Sequence, residues 1–207
     1  MEDETTEGTK FLSTAFDFPT ERSGLLALNA EWIEAQRIPL PVLCFYRGAE
    51  RVLMVTSRSP DDREDGMRAV KEILTLYPSL PKCESILVSI VVDEMKLEDG
   101  STSPAVLVIL VKRNGAEAMA YPFHIDEDNG DVVYDMEAMP HSSVGRIYPE
   151  ELAHAFAVYA FSYTPMGTTK EIIQWLFGKG HEAQFFGDWS IDNINAKGAL
   201  GNLDTVS

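Results

Sequence analysis

Three groups of side chains in this 207-residue chain are of the types that carry chemistry. The first is Asp93, Glu94 and Lys96, preceded far upstream by Asp61. Carboxylates held together bind Mg²⁺, and a lysine beside them helps to activate water for hydrolysis. The second is the run Asp126-Glu127-Asp128-Asn129-Gly130-Asp131, in which Asp126, Asp128 and Asp131 offer closely spaced hard oxygen ligands of the kind Ca²⁺ or Mg²⁺ takes. The third is histidine, at His124, His141, His154 and His181. These four are too far apart to show a metal spacing, and Ser142 and Ser143 beside His141 lack the context of a nucleophile elbow. Neither Walker nor Rossmann glycine spacing is present.

Each group also has a plainer reading. Asp61 with Glu94-x-Lys96 resembles the Asp and Glu-x-Lys of metal-dependent nucleases of the restriction type. It departs from their order because an amphipathic helix is expected between the two halves. A formal net charge of -16, from 33 acidic and 17 basic residues, also disfavours a nucleic-acid substrate. A strand end in a solvated turn accounts for Asp93, Glu94 and Lys96. The acidic run looks like half an EF-hand loop, with Glu137 falling where the last ligand belongs. Its glycine comes one residue early, however, and strands flank it, so a solvated hairpin turn accounts for it. No catalytic residue and no cofactor are assigned on this basis, and a Ca²⁺ or Mg²⁺ site at Asp126, Asp128 and Asp131 is the alternative.

What must position these residues is a sheet. Residues 84–136 contain four apolar runs, ESILVSIVVDEM, SPAVLVILVKR, GAEAMAYPFHID and GDVVYDM, separated by short turn-rich breaks, as in an antiparallel meander. Asn114-Gly115 fits a two-residue type I′ turn, and Asn129-Gly130 closes a slightly longer one. Ile86, Val88, Ile90 and Val92 alternate with Leu87, Ser89 and Val91, and residues 105–111 are apolar throughout, so these two strands are covered on both faces. Pro122 marks the third strand as an edge or as bulged. Upstream, VLCFYR and RVLMVTS flank Gly48-Ala49-Glu50 as a further hairpin.

The helices follow from spacing. Ser23 is expected to cap a helix with a stripe of Leu25, Leu28 and Trp32, ended by Pro39 and Pro41. Ser59-Pro60-Asp61-Asp62 opens a second, whose buried face carries Met67, Val70, Leu74 and Tyr77. A third, from Pro149 to about Phe161, is apolar nearly all round and is expected to be buried on several sides or paired with another chain. A fourth is capped by Thr168 and Glu171 and closed by Gly178. The fold class is α+β, an antiparallel sheet of about six strands (a hairpin plus a four-stranded meander) backed by about four helices.

The expected organisation is a single domain over 21–180, with arms at 1–20 and 181–207. The arms carry Phe11, Phe16 and Phe18 at one end and Phe185, Phe186 and Trp189 at the other. Disordered tails are poor in aromatics, so these six are read as interface residues. No run reaches the roughly 18 apolar residues of a membrane span, and the acidic N-terminus is unlike a secretory signal. Cys44 and Cys83 read as free buried thiols. The expectation is a cytoplasmic, non-enzymatic interaction protein, a subunit or adaptor of a larger assembly. Its partner is a protein or further copies of itself, not a membrane and not nucleic acid through a basic face. A small metal-dependent hydrolase or nuclease, and a small-ligand sensor with a hollow sheet face, are the alternatives.

Overall fold

Strand pairing follows the apolar runs. In the computed structural model, which describes residues 18–57, 63–80, 83–112, 115–135, 149–161 and 169–187, the meander forms β3 (Ser85–Lys96), β4 (Thr102–Lys112), β5 (Gly115–Ile125) and β6 (Val132–Tyr134). The upstream hairpin forms β1 (Val42–Arg47) and β2 (Glu50–Thr56), and β1 lies against β3. A further strand, β7 (Glu182–Phe185), pairs with β2. The described residues thus make one seven-stranded antiparallel sheet in the order β6-β5-β4-β3-β1-β2-β7, one strand more than expected, with four α-helices. The added strand falls inside the stretch read as the C-terminal arm, so residues 182–185 belong to the sheet.

The helices are α1 (Phe18–Glu34), α2 (Arg63–Leu74), α3 (Pro149–Phe161) and α4 (Thr169–Gly178), with a 3₁₀ turn at Tyr77–Ser79. α1 starts before Ser23, which lies inside the helix instead of capping it. Pro19, in the first turn, has a preset φ and lacks only an N–H that has no intrahelical acceptor there. The helix ends at Gln36, which adopts φ 55°, before either proline is reached. There the Gln36 N–H donates to Ile33 O (2.9 Å) and the Arg37 N–H to Trp32 O (2.8 Å), the paired bonds of a Schellman stop. α4 has Gly178 as its last residue, as expected, and is stopped the same way by Gly180, with Gly180 N–H on Phe177 O and His181 N–H on Leu176 O.

α2, α3 and α4 cover one face of the sheet. Val70, Ile73, Leu74, Phe156, Ile172 and Leu176 are buried there with Leu43, Phe45, Val88, Leu107 and Ile109. α1 covers the other, where Leu25 and Leu26 are buried with Val42, Cys44, Tyr46, Leu87, Val106 and Val108. Leu107 and Val108, adjacent and on opposite faces, are 0% and 1% exposed, which is why β4 has no polar side. Each such Leu or Phe contributes about 1.5–3 kcal/mol by burial. α3 packs on β5 and β4. It buries Ala153, Phe156, Ala157 and Ala160 and exposes His154 and Val158, so it has an open side that its composition conceals.

Polar pins fix α1 across the apolar face. Asn29 Nδ2 donates to Ser89 Oγ of β3 at 2.9 Å. At the β6 end, Tyr134 OH donates to Leu26 O (2.8 Å), and the Val132 N–H donates to Glu34 Oε1 (3.0 Å). No helix among the described residues is long and apolar enough to cross a membrane.

Candidate interaction site at Arg51

The site begins with a slip in strand register. β1 and β2 pair in step from Val42–Thr56 to Phe45–Leu53, and then Tyr46 faces Arg51 in place of Val52. Because side chains alternate along a strand, one extra residue reverses the faces beyond it. Val52 and Leu53 both enter the core beneath the three helices, and Arg51 turns to the α1 face beside Tyr46.

α1 meets this pair with Glu21. Glu21 Oε2 accepts from Tyr46 OH at 2.5 Å and from Arg51 Nη2 at 2.6 Å. Arg51 Nη1 lies 3.7 Å from Met54 Sδ, and the guanidinium carbon stands 5.2 Å from the centroid of the Phe186 ring. Phe186 is seated because its N–H donates to Val52 O at 3.0 Å, carrying the β2–β7 ladder one residue past β7. Gly187 follows with φ 56°, where a Cβ would overlap the Glu50 carboxylate. That carboxylate also holds Arg47 Nη2 at 2.7 Å.

Burial sets the protonation states. The Tyr46 hydroxyl is pushed well above its ordinary range by burial first, then by Cys44 and Glu21, so it keeps its proton and donates it to Glu21. Burial pushes the Cys44 thiol up to about 12, and the nearby Arg51 only partly offsets this. Since the thiolate is the nucleophile, Cys44 is inert at neutral pH. A doubly engaged carboxylate, a guanidinium, a phenol and a thiol make a tie between chain segments.

Of the six aromatics expected to dock, Phe18 is the first residue of α1, and Phe11, Phe16 and Trp189 lie outside the described residues. Phe185, 7% exposed, packs in the core of the domain opposite Leu53, so it serves the fold and is no free interface residue. Phe186 is half-buried against Arg51. Asp126, Asp128 and Asp131 lie in the β5–β6 turn, where Asp126 Oδ1 accepts the Asp128 N–H and Asn129 Oδ1 accepts the Asp131 N–H, each at 2.9 Å. These are Asx turns, which suit the same residue types as a cation loop. Among the described residues, no three His, Cys, Asp or Glu side chains gather as metal ligands.

Asp93 and Glu94 fall at a register shift in β3 and are exposed, as is Lys96. Asp61, His141, Ser142 and Ser143 lie outside the described residues. His124 and His154 are exposed, whereas His181 is buried 5.9 Å from the Trp175 ring, and burial lowers its pKa. Sequence reasoning missed Glu21, Tyr46 and Arg51, because no residue type announces the slip that brings them together. Comparison of the chain with protein-family models, curated proteins and solved structures gives no match.

Proposed function

We propose that this chain is a non-enzymatic interaction protein, a subunit or adaptor of a larger protein assembly, whose binding segments are the two that adjoin the Arg51 site. The observation that carries the reading is that Arg51 engages both ends of the described domain, Glu21 near the start of α1 and Phe186 just past β7. The segment with Phe11 and Phe16 and the segment with Trp189 therefore have a common root. Two binding segments on one root reinforce each other, since seating the first holds the second at a local concentration in the millimolar range. The net charge of -16 favours a basic partner surface over further copies of the chain.

The test is fluorescence-detected sedimentation of the labelled chain in an extract of the cells that make it, alongside a chain lacking residues 1–17 and 188–207. The full chain is expected to sediment in a complex and the shortened chain as a monomer with unchanged circular dichroism. Identical sedimentation of the two refutes the reading. Calorimetric titration with Mg²⁺ and Ca²⁺ separates it from the hydrolase alternative, which requires a binding isotherm for one of them.

A further inference from the structure

We propose that the edge of β5 over residues 115–121, unpaired among the described residues, receives a basic extended segment of another protein as an added antiparallel strand. β6 pairs only with Phe123, His124 and Ile125 of β5. The next bond on that side runs from the Asp135 N–H to Pro122 O at 2.9 Å, so Pro122 directs its carbonyl, and its missing donor, away from β4. Backbone groups alternate sides along a strand, and β5 keeps unbroken register with β4. Ala116, Ala118 and Ala120 therefore turn N–H and C=O outward as well. Among the described residues nothing pairs with them.

Such a row invites pairing, and natural edges are usually blunted by lysine, proline, bulges or brevity. The edge from Ala116 to Ala120 has none of these. Glu34 covers the outward Val132 N–H of β6, and no equivalent guards β5 among the described residues. The margin also indicates the chemistry of the occupant. Its side chains toward the α1 face are Glu117, Met119 and Tyr121, and Asp126, Asp131 and Asp135 lie along the β6 end. Arg22, 5.8 Å from the Tyr121 ring, and Lys112, paired with Gly115, are the cations found there among the described residues, fewer than the acids. Ile125 and Val133, in the part of β5 and β6 that is paired and on opposite faces of the sheet, are 52% and 40% exposed. A strand alternating lysine or arginine with apolar residues matches this surface, whereas a second copy would bring its own net charge of -16. This site is remote from Arg51 in strand order and does not depend on the terminal segments.

The full chain, isotopically labelled, is titrated with a short Lys/Val alternating peptide and its Glu/Val counterpart, and amide exchange along β5 is followed by NMR. In the free chain the amides of Ala116, Ala118 and Ala120 are expected to exchange faster than those of Glu117, Met119 and Tyr121, which face β4. The lysine peptide slows the three alanines, the glutamate peptide does not, and N-methylation of the lysine peptide abolishes the effect. Glu117→Lys weakens the lysine peptide about tenfold, and removal of residues 1–17 and 188–207 leaves binding intact. Uniform protection along β5 in the free chain, equal binding of the two peptides, or alanine protection that grows with protein concentration alone overturns the proposal.

Discussion

Replacing Arg51 with alanine removes a charged hydrogen bond of 2.6 Å to Glu21 and the stacking on Phe186. Shielded bonds of this kind contribute about 1.5–3 kcal/mol and exposed ion pairs about 0–1. With side chains 31% and 22% exposed, this pair falls between the two, at about 1–2 kcal/mol. The cation–π contact adds about 0.5–1 kcal/mol. Arg51→Ala is therefore expected to cost about 1.5–3 kcal/mol, lowering the unfolding midpoint by about 3–12 °C in a domain of this size. Urea unfolding followed by circular dichroism gives the total. Two double-mutant cycles, pairing Arg51→Ala with Glu21→Gln and with Phe186→Leu, apportion it. Coupling of about 1 kcal/mol to Glu21 and about 0.5 kcal/mol to Phe186 is expected. If both couplings stay below about 0.3 kcal/mol, Arg51 joins nothing and the tie is refuted.

Further outcomes follow from the same geometry. With Cys44 held up to about 12 against an ordinary 9.0, the folded chain keeps a proton that the unfolded chain loses. That contribution is whole below about pH 9 and disappears as pH rises toward 12, with on the order of 4 kcal/mol at stake. Urea titrations of Cys44→Ala over this range are expected to show a shallower fall, and an unchanged slope contradicts the burial argument. Gln36→Gly relieves φ 55° at the end of α1 and is expected to raise stability by about 1 kcal/mol. Gly187→Ala, at φ 56° against Glu50, is expected to cost about 1–2 kcal/mol in thermal unfolding, whereas helical Gly24→Ala, with open space around it, is neutral or stabilising.

The sheet was largely legible because strands covered on both faces carry long apolar runs, and Asn129-Gly130 marked the break before β6, whereas Gly115 belongs to β5 and pairs with Lys112. Pro122 was read as marking an edge strand or a bulge, whereas β5 has β6 outside it and keeps unbroken register with β4; the missing donor is accommodated because it faces the thin β6 side. Cys44 and Cys83 are buried thiols that form no disulfide, as their surroundings in the sequence implied. β7 was not legible, because Glu-Ala-Gln-Phe has no periodicity of its own and becomes a strand only when β2 offers an edge. The start of α1 was misread because Ser23 is an ordinary cap residue, and the local sign of an earlier start, Pro19 in the first turn, was passed over. The Arg51 site was the least visible feature. Glu21 and Arg51 lie 30 residues apart, and the slip at Val52 that aims Arg51 at Glu21 is a property of the strand pair, not of either strand.

The central claim is that the segments rooted at Arg51 contact another polypeptide. It is tested most directly by site-specific photo-crosslinking of the full chain, with the reactive side chain placed at Phe16 and, separately, at Trp189. Mixing isotopically light and heavy chains distinguishes links within one molecule from links between copies. The expected result, in the cells that make the protein, is crosslinks from both positions to a separate polypeptide, weakened together by Arg51→Ala. Crosslinks from both positions only to the sheet and helices of the same molecule would contradict the claim and return the two segments to the domain's own core.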